Sequence, residues 1–211
     1  MMRKIFFSAA LFLVAFWASA QRFEGGLLAG FNATQVEGVA VYGENINGYH
    51  KPGVLAGFFV QTDIAPAIFS GIEIKYSQKG ARRKIKENDP DPRKYIMRLG
   101  YVDVPIFMGF RTNDRGAVIA GVSAGYLIHA MEYNEYGKFP EEDLHPFNNF
   151  DLQPFIGFQF DMLDQVKLDL RFALSVLPIR EKSGGETTNY YWQNNQFNNV
   201  ISLAAYYNLG R

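Results

Sequence analysis

The amino-acid sequence predicts an all-β protein, an eight-stranded antiparallel up-and-down transmembrane β-barrel, and three observations carry that expectation. Of its 211 residues 48% are hydrophobic and 16% aromatic, with 20 Gly, 19 Phe and 12 Tyr, a mixture of poor helix formers and good strand formers. Eight segments alternate with period two, at roughly 22–33, 52–63, 68–79, 96–111, 117–130, 150–161, 165–177 and 197–209. Their connections alternate as well: 34–51, 80–95, 131–149 and 178–196 are long and polar, whereas Ile64–Ala67, Thr112–Gly116 and Met162–Asp164 are tight. An even number of strands with short turns at one end and long loops at the other is the pattern of outer-membrane barrels, whose short turns, and here both termini, face the periplasm.

The elements follow in chain order. Arg3 and Lys4, the apolar run Ile5–Trp17 and the small residues Ala18-Ser19-Ala20 form the three regions of a secretory signal peptide, with cleavage expected after residue 20. The run is too short to cross about 30 Å of hydrocarbon as a helix, which leaves 21–211 as one barrel domain. The third segment shows most plainly why these stretches are strands. In Ile68–Ser77, Glu73 and Lys75 would lie nearly opposite each other on a helix, but they share one face of a strand while Ile72, Ile74 and Tyr76 share the other.

The same split recurs in every segment. One face holds residues such as Leu27, Phe31, Val54, Phe58, Val104, Ile106, Val122, Phe158, Leu170 and Leu203, and it carries no charge. The other holds Gly26, Gly30, Gly53, Gly57, Gly71, Gly109, Gly121, Gly125 and Gly157 beside Phe59, Phe69, Tyr101, Phe107, Phe155 and Tyr206. A wet exterior would favour Lys, Glu and Thr over Gly and loose rings. A narrow lumen filled by side chains explains Gly beside bulky groups. Aromatics of the apolar face gather near strand ends, with Phe23, Phe110, Phe160 and Tyr207 at the short-turn end and Phe31, Tyr76 and Tyr126 toward the loops, as two membrane interfaces require.

Within the lumen face, Glu73, Lys75, Asp103, Asp169 and Arg171 are expected to form a charge network, because opposite charges in a poorly solvated interior must pair. An acid–base pair of Glu73 with Asp103 is the catalytic alternative, and the salt-bridge network is preferred to it. No Ser lies in a nucleophile elbow. The absence of Cys excludes a disulfide framework, a thiol nucleophile, a thiolate zinc site and a lipoprotein anchor. Neither a cofactor nor a metal is expected. The 21 basic and 21 acidic residues cancel, which argues against a nucleic-acid partner.

Binding, if any, belongs to the loops. The second long loop and its flanks carry Lys79, Arg82, Arg83, Lys84, Lys86, Arg93, Lys94 and Arg98, and the third carries Glu132, Glu135, Glu141, Glu142 and Asp143. Basic groups above the outer girdle are placed to contact lipopolysaccharide phosphates. In the fourth loop, Tyr190, Tyr191 and Trp192 mix with amides, as glycan- or peptide-binding surfaces do, which makes them candidate contacts for lipopolysaccharide or an envelope protein partner; the alternative is an extension of the last hairpin beyond the membrane.

Several stretches resemble the Bacteroidota outer-membrane β-barrel proteins labelled porin-family or PorT-like. They are Gly26-Leu-Leu-Ala-Gly-Phe-Asn32, Gly53-Val-Leu-Ala-Gly-Phe-Phe59, Gly71-Ile-Glu-Ile-Lys-Tyr-Ser-Gln-Lys-Gly80, Tyr101-Val-Asp-Val-Pro-Ile106 and Ala120-Gly-Val-Ser-Ala-Gly-Tyr-Leu127. The resemblance implies an eight-stranded barrel in the outer membrane with no family-wide catalytic residues. The chain ends Tyr207-Asn-Leu-Gly-Arg211, unlike the terminal aromatic residue common in such barrels. The expected function is therefore non-enzymatic, through envelope structure or loop-mediated interaction; the alternatives are a narrow solute channel and a soluble lipocalin-like binder with the apolar face turned inward.

Overall fold

The computed structural model describes residues 23–41, 44–85, 92–140, 145–181 and 195–210. Eight long strands form the wall: β1 (Phe23–Glu37), β2 (Lys51–Ala65), β3 (Ile68–Arg82), β4 (Ile96–Arg111), β5 (Gly116–Asn134), β6 (Phe150–Leu163), β7 (Val166–Leu174) and β8 (Asn195–Asn208). Each pairs antiparallel with the next, and β1 closes on β8 in a register running from Gly26 opposite Asn208 to Glu37 opposite Phe197. Closure leaves no unpaired edge, the condition for strands to cross hydrocarbon. Two-residue ladders extend the wall on the long-loop side, where Gly137–Lys138 pairs with β5 and Arg180–Glu181 with β8; Ala40–Val41 pairs with Glu44–Asn45 apart from it.

The predicted segments coincide with these strands, with one systematic difference. On the long-loop side β1 reaches Glu37 instead of residue 33, β3 reaches Arg82 instead of 79, and β5 reaches Asn134 instead of 130. β7 instead stops at Leu174, short of residue 177. The extra turns of wall surround an apolar cluster that includes Val36, Val39, Met97, Leu99 and Ile179, and burial of that cluster against water holds the strands together past the membrane.

The charge-free face points outward. Phe31, Phe58, Ile106 and Phe158 are all more than half exposed, the reverse of a soluble barrel such as a lipocalin. Inside, Phe69 and Phe107 meet edge to face with centroids 6.3 Å apart. Each ring lies over a glycine paired with it across β3 and β4: a Cβ on Gly109 would sit 2.1 Å from the Phe69 ring, and one on Gly71 would sit 2.4 Å from Phe107. Lumen glycines here make room for rings in an interior just wide enough for side chains. One irregularity alters a face. The β4–β5 register shifts between Tyr101, opposite Leu127, and Gly100, opposite His129, so Ile128 is an extra residue and the alternation of β5 reverses beyond it.

Candidate functional site

The lumen is filled by two ionic clusters at different heights. In the half nearer the short turns, Arg171 from β7 spans the barrel to Glu73 on β3, donating to both carboxylate oxygens at 3.1 and 2.5 Å. It also contacts Asp169 at 2.7 Å. The Tyr206 hydroxyl donates to Glu73 and accepts from Arg171, each at 2.8 Å. Lys75 adds a second cation to Glu73 at 3.1 Å, and Gln159 donates to Asp169 at 2.8 Å. The guanidinium lies 4.9 and 4.8 Å from the Phe107 and Phe155 ring centres, where cation–π attraction adds to ion pairing.

Toward the loops, Lys79 donates to Asp103 at 3.0 Å, to Gln153 at 2.7 Å and to Asp151 at 3.4 Å, with its ammonium 4.5 Å from the centre of the Tyr101 ring. Asn198 donates to Asp151 at 2.9 Å. Between the two clusters lies a cavity of about 30 Å³, lined by Asn32, Ser77, Ser123 and Ser202 and by apolar groups such as Phe155 and Val200, and large enough for water.

Of the five residues expected to form one network, Glu73, Lys75, Asp169 and Arg171 come together. Asp103 does not join them. Although it stands opposite Lys75 in the register, its cation is Lys79, expected at the end of the third strand and grouped with the flank of the basic loop, and buried in the wall at 1% exposure. The signal was available, since Lys79 continues the odd-numbered phase of Glu73 and Lys75. This contact also joins two of the stretches quoted for the family resemblance, at Tyr76–Gly80 and Tyr101–Pro105. Glu73 and Asp103 thus belong to separate clusters, each carboxylate tied to a cation, and no free acid–base pair results.

The mouth above the belt holds a third buried ionic group, drawn from three segments expected as loops. Arg180 donates to both oxygens of Glu132 at 3.1 and 2.8 Å and to Gln196 at 2.8 Å, and the Tyr95 hydroxyl donates to Glu132. Burial, together with the Glu132 charge, pushes the Tyr95 phenol above its usual range. Burial works against the charge of Arg180, but its hydrogen bond and ion pair with Glu132 outweigh that and hold its pKa above the ordinary value.

Among the basic residues assigned to lipid contact, Arg82 and Lys84 are exposed, whereas Arg83 is buried and donates to the Arg93 carbonyl at 2.9 Å. Lys86, Tyr190, Tyr191 and Trp192 lie outside the described residues, as does the expected signal peptide. Among the described residues no group of three His, Asp or Glu side chains could hold a metal.

A closed barrel with an uncharged, outward apolar belt and an ion-paired interior defines an integral outer-membrane protein. The outer membrane protein beta-barrel domain model matches residues 17–181, and the chain belongs to that family. No curated protein sequence matches it. Similar solved structures are Ail, the attachment invasion locus protein of Yersinia pestis, in complex with the heparin analogue sucrose octasulfate (14% identity, 89% of this chain and 99% of that one, TM-score 0.48), and Neisserial surface protein A (11%, 90% and 99%, 0.46). OprG from Pseudomonas aeruginosa is a third, at 9% identity over 89% and 92% with a TM-score of 0.37.

Proposed function

We propose that the protein is a non-enzymatic outer-membrane barrel that does not conduct solutes and acts through envelope structure or through its extracellular surface, toward lipopolysaccharide and an envelope protein partner. The observation that carries this reading is the double closure of the lumen. Arg171 bridges to Glu73 at one height and Lys79 to Asp103 and Asp151 at another, and opening either would strand buried charge. Each carboxylate serves a neighbour, which removes the free base a catalytic site needs. Cleavage after residue 20, periplasmic termini and kinship to the Bacteroidota PorT-like branch belong to the same reading; the kinship rests on the five stretches quoted above, of which the runs joined by Lys79 and Asp103 are the most specific.

Single-channel recording of the refolded protein tests it, with a silent trace expected. Steady unit conductance would favour the narrow channel instead. Intact mass of the exported protein, beginning at Gln21, checks the cleavage.

A further inference from the structure

We propose that the outer surface of β3, β4 and β5 just above the belt binds a phosphate group of outer-leaflet lipopolysaccharide, held between Arg82 and Arg98. The assignment rests on the reading of the long-loop end as extracellular and lipopolysaccharide-facing. Both arginines are exposed. Arg82 continues the outward phase of Ile72, Ile74 and Tyr76 on β3, and Arg98 that of Ile106 on β4. In the register Arg98 stands opposite Gly80 and Arg82 opposite Ile96, so the two are diagonal neighbours about 7–8 Å apart. Val102, paired with both Tyr76 and Tyr126 of the outer girdle, lies four residues before Arg98 is reached, or about 13 Å along the strand. A flexible arginine there reaches the headgroup layer, which adds about 5–8 Å to each side of the hydrocarbon.

Two features separate this pair from the other strand arginines. Arg111, Arg171 and Arg180 each have a carboxylate partner, whereas among the described residues neither Arg82 nor Arg98 has one. The uncompensated charge is felt nearby: burial foremost, then the charges of Arg98 and Arg82, lower the pKa of Lys51 to about 8. The surface is also shaped. The Arg98 guanidinium lies 5.1 Å from the Tyr133 ring centre. Gly80, at φ +135° and with no room for a Cβ against the Met97 carbonyl, lets the two strands pack closely opposite Arg98. The extra residue Ile128 turns His129 outward, its ring filling the space over Gly100 and stacking on Tyr76 at 22° and 6.1 Å. Two unpaired planar forks, diagonal to each other on adjacent strands, suit a phosphate, whose oxygens accept bidentate hydrogen bonds from arginine.

The test titrates the full mature protein, folded in detergent, with phosphorylated lipid A and with the same lipid A stripped of phosphate. Wild type is expected to prefer the phosphorylated form at least about tenfold. Arg82→Gln with Arg98→Gln should abolish the preference, and Lys84→Gln should keep it. A preference that survives the double substitution overturns this site while leaving the lipopolysaccharide-facing reading intact. No preference in wild type overturns both.

Discussion

The belt and the mouth of this barrel are built from the same strands with opposite polarity. On β3, Ile72 and Ile74 face outward and Glu73 inward, but past Lys79 the order inverts, with Ala81 buried and Arg82 exposed. On β4 the change falls between Leu99 and Asp103: Met97 and Leu99 are buried with Arg98 exposed, while beyond it Asp103 is buried and Ile106 exposed. The backbone does not change; the surroundings do. Against lipid the outer face must be apolar, and a narrow polar interior is tolerated where each charge is paired. Against water the outer face can be charged, and the interior becomes an ordinary apolar core.

This contrast can be broken most sharply in the lumen. Arg171→Met leaves Glu73 and Asp169 buried beside the single remaining Lys75, and it should cost about 3–5 kcal/mol in urea unfolding from lipid vesicles. Combining it with Glu73→Gln should recover part of that loss, since fewer buried charges are stranded. A milder Arg171→Met than double variant would mean that the cluster is wet. In the mouth the penalty has another origin: Leu99→Ala opens a cavity in a packed apolar cluster, at about 2–5 kcal/mol in the same assay. On the outer wall the two regions separate by position. Ile106→Lys, at mid-belt, should cost about 2–4 kcal/mol, whereas Arg98→Ala, above the belt, should stay within about 0.5 kcal/mol. Equal costs would place the boundary elsewhere.

A separate expected effect is on pH. Lys51 loses its proton near pH 8 in the folded protein and near 10.4 when unfolded, so the unfolded chain holds more protons between those values and stability rises with pH across that window. Melting followed by the gel shift between folded and unfolded forms should show the rise, and Arg98→Gln should reduce it by relieving the repulsion on the ammonium.

Strand number, strand order and the lipid-facing side were legible because they depend on local alternation, which the pleat turns directly into two faces. An uncharged face recurring in eight segments leaves one economical arrangement, a closed barrel in a membrane. The mouth was not legible by the same rule. Once the polarity inverts, residues such as Arg82, Lys84, Glu132 and Arg180 read as loop, and only the packing of Met97, Leu99 and Ile179 reveals a core. The partners inside the lumen were equally out of reach. Sliding a strand by two residues preserves every face yet changes every height, so closure and register alone decide that Arg171 meets Glu73, 98 positions away, and that Lys79, not Lys75, meets Asp103. The single extra residue at Ile128 likewise sends His129 outward, a choice made by the pairing of β4 with β5 and invisible to alternation. Sequence by itself determined which side of each strand meets lipid, since that is a property of neighbouring residues; tertiary structure decided which charges meet, since that is a property of the whole closed wall.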